Sequence, residues 1–213
     1  MKNYLFLIAI VFLAFLLGCE KKPIKVACVG DSITEGPGRE HPDSYPLQLQ
    51  QILGEGYQVT NFGVSGRTLL RKGDFPYWEE TQFKEVKAFN PDVLVIKLGT
   101  NDSKPQNWQY AEEFKQDYLD LIAEYKQHMP KNGKVYICIP VPVFEDNWGI
   151  TESIVVKEMR PILMEVAKES EAEIIDLYAP LENKPDLLPD GVHPNKEGLG
   201  IMAREVAEGI RRY

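Results

Sequence analysis

Five short apolar runs, separated by segments of helical period, restrict this fold more than any other feature of the chain. The runs are Lys25 to Val29, Tyr57 to Phe62, Asp92 to Leu98, Lys134 to Ile139 and Glu173 to Leu177. They have strand length and carry few charges, as strands covered on both faces require. Helix patterns occupy Tyr45 to Leu53, Glu79 to Phe89, Tyr110 to Met129 and Glu152 to Ser170, and a last one runs from Asn195 to Arg211. In the third of these, Phe114, Tyr118, Leu121, Ile122 and Tyr125 recur at three- and four-residue spacing and form one apolar face. Ile154, Val155, Ile162, Leu163 and Val166 do the same in the next, with Pro161 predicting a kink or break. Strand–helix alternation of this kind predicts an α/β fold, a five-stranded parallel sheet with helices on both faces. No repeat, low-complexity tract or composition shift marks a second domain.

The N-terminus reads as a targeting segment. Lys2 is followed by a nearly unbroken apolar run from Tyr4 to Leu17, too short to span a bilayer, so residues 1–18 are expected to be a signal peptide. The ending Leu16-Leu17-Gly18-Cys19 resembles a bacterial lipobox, which predicts that Cys19 is lipidated and becomes the mature N-terminus. Residues 19–24 would then be a short tether, and residues 25–213 one domain. The expected location is the cell envelope, on the periplasmic face or the cell surface.

The formal net charge is −8, and no basic stripe offers a surface to nucleic acid. Of the three cysteines, Cys28 and Cys138 lie inside strand-like runs and read as buried reduced thiols. No CxxC, HExxH or His cluster occurs, so neither a metal nor another cofactor is expected.

The first strand, Lys25 to Val29, ends at Gly30-Asp31-Ser32-Ile33-Thr34-Glu35-Gly36. Ser32 is thereby expected at a strand's carboxyl end, where open α/β sheets place their chemistry. A hydrolytic serine needs a base, a group to orient that base, and donors for the oxyanion. His41 and His128 lack a suitable setting. His193 stands in Leu188-Pro189-Asp190-Gly191-Val192-His193-Pro194-Asn195, where Asp190 can reach the imidazole locally and leave Nε2 facing a hydroxyl elsewhere. The expected oxyanion donors are the Ser32 N–H, the Gly63 N–H after the second strand and the Asn101 amide after the third. Asp31 and Asp102 are read as structural acids. Three long loops at strand carboxyl ends hold all three tryptophans. Phe75, Tyr77, Trp78, Trp108 and Trp148 in these loops are candidates for a sugar face or an acyl pocket.

Taken in order, Gly30-Asp31-Ser32-Ile33-Thr34, Gly63, Gly99-Thr100-Asn101-Asp102 and Asp190-Gly191-Val192-His193 resemble the four sequence blocks of the SGNH/GDSL hydrolases, across Val26 to His193. Ile33 departs from the leucine of the name-giving motif. The resemblance implies a flavodoxin-like three-layer α/β/α sandwich, a triad of Ser32, Asp190 and His193, and an oxyanion hole of Ser32, Gly63 and Asn101. The α/β-hydrolase elbow is excluded, because Thr34 occupies the second glycine position of Gly-x-Ser-x-Gly. The Gly73-Asp74-Phe75-Pro76-Tyr77-Trp78 stretch and Gly99-Thr100-Asn101-Asp102-Ser103-Lys104-Pro105 are most similar to carbohydrate O-acetylesterases of that family. The expected partner is therefore an acetylated carbohydrate or another small acyl ester. The alternatives are an acyl thioesterase or lysophospholipase of the same superfamily, and an envelope lipoprotein that binds glycan without turnover.

Overall fold

The structure, a computed structural model, describes residues 22–211. The expected signal peptide, residues 1–18, and the lipidation site Cys19 lie outside the described residues.

The chain runs β1 (Ile24–Gly30), α1 (Ser32–Glu35), α2 (Tyr45–Leu53), β2 (Tyr57–Gly63), α3 (Thr81–Phe89), β3 (Val93–Lys97), α4 (Pro105–Trp108), α5 (Ala111–Lys126), β4 (Lys134–Ile139), α6 (Arg160–Ser170), β5 (Glu173–Asp176) and α7 (Lys196–Arg211). All five strands are parallel, in the order β2-β1-β3-β4-β5. Successive side chains along a strand point to opposite faces, and each face meets its own helices. Ala27, Val29, Leu94, Ile96, Val135 and Ile137 pack on α3, α5 and α6. Val26, Cys28, Val93, Val95, Tyr136 and Cys138 pack on α2 and α7. The three-layer α/β/α sandwich expected from the alternation is thus present. Cys28 and Cys138 are buried and free, and burial pushes the Cys28 thiol up to about 12.

Strand limits fall within a residue of those expected. The helix pattern from Glu152 to Ser170 differs in one respect, because Pro161 does not break it. A π-helical segment, Ile154–Met159, leads directly into α6. Proline lacks an N–H and its ring crowds the carbonyl one turn earlier, and the wider π turn accommodates both demands.

Register sets the height of the site. Gly30 lies level with Gly63 on one side and with Lys97 on the other. The loops after β1, β2 and β3 therefore leave the sheet together at its carboxyl edge. The connection β2 to β3 passes over β1, so the sheet order reverses between β1 and β3, which opens a crevice beyond their ends.

Candidate active site

Ser32 is the first residue of α1, and Asp31 caps that turn by accepting the Ile33 N–H at 3.0 Å. Two glycines let the turn sit low on the sheet. A Cβ on Gly30 would stand 2.0 Å from Thr34 Oγ1, and one on Gly63 would stand 2.3 Å from the Glu35 N. Beneath the turn, Lys97 Nζ reaches both Asp31 oxygens at 3.2 and 3.1 Å and Thr100 Oγ1 at 2.6 Å, with Lys97 and Asp31 fully buried. Burial pulls the Lys97 ammonium down, and the Asp31 carboxylate opposes that pull.

Ser32 Oγ lies 2.9 Å from His193 Nε2, and His193 Nδ1 lies 2.8 Å from Asp190 Oδ2. The other Asp190 oxygen accepts the backbone N–H groups of Val192 at 2.9 Å and His193 at 2.7 Å. Burial disfavours the Asp190 anion, but these two N–H bonds and the imidazole together outweigh it and hold the carboxyl below its usual range. The turn can close so tightly because Gly191 has φ +79°, and a Cβ there would strike Glu145 Cβ at 2.5 Å. From above, the loop after β4 presses on the turn. The Phe144 N–H donates to Gly191 O at 2.8 Å, the Asn147 amide donates to Asp190 O, and the Trp148 ring meets the His193 ring edge-on at 5.3 Å.

The oxyanion donors differ from expectation at one position. Asn101 is nearly buried at the start of a 3₁₀ turn, and its Nδ2 donates to Arg67 O at 3.2 Å, which leaves its second amide hydrogen available. Gly63 does not face the crevice. Its N–H donates to Asn61 Oδ1 at 2.9 Å, and its missing side chain serves the packing of the Ser32–Glu35 turn. Gly66, three residues further on, lines a cavity of about 310 Å³ with Ser32, Asn101 and His193. Gly66 has φ +80°, and among the described residues no acceptor takes its N–H.

Of the five aromatic candidates, the structure brings only Trp148 to this cavity, where it is 60% exposed. Tyr77 is buried with its hydroxyl on Phe62 O at 2.7 Å, and Trp108 is buried with its indole N–H on Glu158 at 2.8 Å. The Trp78 N–H donates to Leu69 O at 2.8 Å while Arg71 stacks on its ring, so this indole pins its own loop. Phe75 is exposed beside Arg67 and lines no cavity with Ser32. Long loops need internal anchors, and most of these rings supply them. Asp102 does similar work, accepting the Leu69 and Leu70 N–H groups at 3.0 and 2.7 Å, and burial pushes its carboxyl up to about 7. Among the described residues no group of three or more His, Cys, Asp or Glu side chains could hold a metal ion.

A serine hydroxyl bonded to an imidazole, itself bonded to a carboxylate, with Gly66 and the Asn101 amide lining the same cavity, is an arrangement suited to acyl transfer. Asn101→Ala is expected to lower kcat about 10²- to 10³-fold with little change in KM, the cost typical of losing one oxyanion donor. Steady-state kinetics on p-nitrophenyl acetate check this, and an unchanged kcat would remove Asn101 from that role.

The model of the GDSL-like lipase/acylhydrolase family matches residues 28–200. An acetylxylan esterase of Xylanibacter ruminicola is 45% identical over 207 residues, which cover 88% of this chain and 43% of that protein. A multidomain esterase of Ruminococcus flavefaciens is 27% identical over 74% of this chain and 20% of its own length, so the chain spans less than half of either relative. A rhamnogalacturonan acetylesterase of Bacillus subtilis is 26% identical over 89% of this chain and 90% of its own. Among solved structures, a carbohydrate acetylesterase family member from Sinorhizobium meliloti superposes with a TM-score of 0.67 over 89% of this chain and 98% of that one, at 21% identity. Axe2, an acetylxylan esterase from Geobacillus stearothermophilus, gives 0.66 over 88% and 94% at 22% identity. These likenesses are of fold.

Proposed function

Because the chain belongs to the GDSL-like lipase/acylhydrolase family, we propose that it is a serine esterase that removes O-acetyl groups from carbohydrate through an acyl-enzyme on Ser32. The observation that carries this reading is the relay from Ser32 Oγ to His193 Nε2, at 2.9 Å, and from His193 Nδ1 to Asp190, at 2.8 Å. Ser32 Oγ attacks the ester carbonyl while His193 Nε2 takes its proton. The developing oxyanion is received by the Ser32 and Gly66 N–H groups and the Asn101 amide. His193 returns the proton to the leaving sugar hydroxyl, then activates water to release acetate. Asp190 fixes the imidazole tautomer and stabilises the cation that forms on it.

Carbohydrate as substrate is supported by the 45% identity to an acetylxylan esterase. The immediate surroundings agree with a short acyl group. The cavity beside Ser32 has Ser65, Gly66, Asn101 and Lys104 in its lining, with Trp148 and Ile150 as its larger apolar contributors. A long-chain thioesterase or lysophospholipase needs an extended apolar groove. Acetate release from acetylated xylan oligomers, pectin fragments, sialic acids and peptidoglycan fragments tests the assignment. Preference for octanoyl over acetyl p-nitrophenyl esters would overturn it. Retained glycan affinity without turnover of any acetylated glycan would favour the binding-only alternative.

We place the enzyme in the bacterial cell envelope, anchored by lipid on Cys19. The support is the sequence Leu16-Leu17-Gly18-Cys19 behind its apolar run. Cys19→Ser is expected to move the protein from the membrane to the soluble fraction and to abolish labelling by a radioactive fatty acid. Equal labelling of the two forms would reject the anchor.

A further inference from the structure

Three cavities adjoin one another through shared lining residues, the third leading down α7 away from the carboxyl edge of the sheet, and the Ser32–His193 pair belongs to only two of them. The first, of about 310 Å³, holds the oxyanion donors and Trp148. The second, of about 390 Å³, opens on the opposite side of Ser32 and His193, between the Pro37 loop and the start of α7. The third, of about 490 Å³, continues from it along α7, sharing Asn195 and Lys196 and ending at Arg204. Each is large enough for a small ligand by itself. An acetyl group on one sugar needs no more than the first two.

The walls of the extension are built rather than incidental. Gln48 Nε2 donates to Asp43 O at 2.8 Å and to Lys196 O at 3.1 Å, stitching the loop before α2 to the start of α7. Lys196 Nζ and Asp43 Oδ1 close the same seam at 2.9 Å. Gln48 can lie against α7 because residue 200 is glycine, where a Cβ would stand 2.8 Å from Gln48 Oε1. The result is a trough whose two walls are tied to each other by hydrogen bonds and an ion pair within the protein. Its lining alternates charged and amide groups (Asp43, Asn195, Lys196, Glu197, Arg204) with the apolar surfaces of Pro37 and Leu199. That mixture suits a chain of sugar rings, whose hydroxyls need donors and acceptors of both kinds and whose ring faces need apolar contact.

We propose that the second and third cavities are glycan subsites, and that the substrate is an acetylated oligosaccharide or polysaccharide lying through this trough rather than a single acetylated sugar. The proposal rests on the carbohydrate O-acetylesterase reading of Ser32.

The test is a series of substrates of increasing length, from an acetylated methyl xyloside to acetylated xylohexaose, with the purified protein and with the double variant Lys196→Ala/Arg204→Ala. Two or three added hydrogen bonds, each worth about fivefold, correspond to a rise of about 25- to 125-fold in kcat/KM along the series, carried mainly by KM. In the double variant the ratio of hexaose to monosaccharide kcat/KM is expected to fall by about fivefold, the equivalent of one such bond. Equal rates on monosaccharide and hexaose would overturn the trough while leaving the deacetylase reading in place. A length dependence that the double variant leaves intact would also overturn it, because the chain must then lie elsewhere. Cleavage of p-nitrophenyl acetate with no acetate from any glycan would instead remove the carbohydrate reading itself.

Discussion

Ser32→Ala is expected to lower kcat on p-nitrophenyl acetate by about 10⁴- to 10⁶-fold, the range seen when a nucleophile that works as part of a triad is removed. His193→Ala should cost a similar factor. The double variant Ser32→Ala/His193→Ala should be scarcely worse than either single one, because the two groups act as a unit joined at 2.9 Å. Binding of an acetylated oligosaccharide should survive in Ser32→Ala, since the oxyanion donors and cavity walls do not depend on the hydroxyl. Activity within tenfold of the parent protein would end the case for an acyl-enzyme on this residue.

Lys97→Ala is expected to destabilise the fold by about 3–5 kcal/mol, the usual result of leaving one member of a buried ion pair uncompensated. Here the stranded group would be the Asp31 carboxylate, which is fully buried next to Ser32. The double variant Lys97→Met/Asp31→Asn should recover part of the loss, because it removes both charges together. Urea unfolding curves of the three proteins measure this directly. A single-variant loss below about 1 kcal/mol would mean that water reaches Asp31 and that the pair is not the floor of the site.

How far the sequence foretold these features depended on whether each residue acted within its own segment. The strands were legible because parallel strands covered on both faces leave continuous apolar runs, as in Val26 to Val29. Asp190 and His193 were legible as a pair because both lie on one turn, three residues apart. Lys97 was not. In the sequence it is a charge at the end of a strand, and its partner Asp31 is 66 residues away. Gly63 is expected as a donor because it ends the second strand, and only the register with Gly30 shows that it sits under the Ser32 turn. The aromatic residues divided for a related reason. Whether an indole faces a ligand or its own loop is decided by tertiary packing, and Trp78 and Trp108 found partners inside the protein while Trp148 met His193.

The hydrogen bond between Ser32 and His193 joins residues 161 positions apart, whereas the acid and base are three apart. Nucleophile and base therefore meet only after the intervening strands and helices have assembled. Closing a loop of that length costs about 4–5 kcal/mol of chain entropy, which the intervening packing must offset first. An unfolded chain thus carries every reactive side chain without an assembled triad, and a part-synthesised one lacks its base until residue 193 is added. In a refolding experiment, turnover should be the last signal to return, after helix content and tryptophan burial, and its appearance would time the arrival of the Asp190–His193 turn over the first strand.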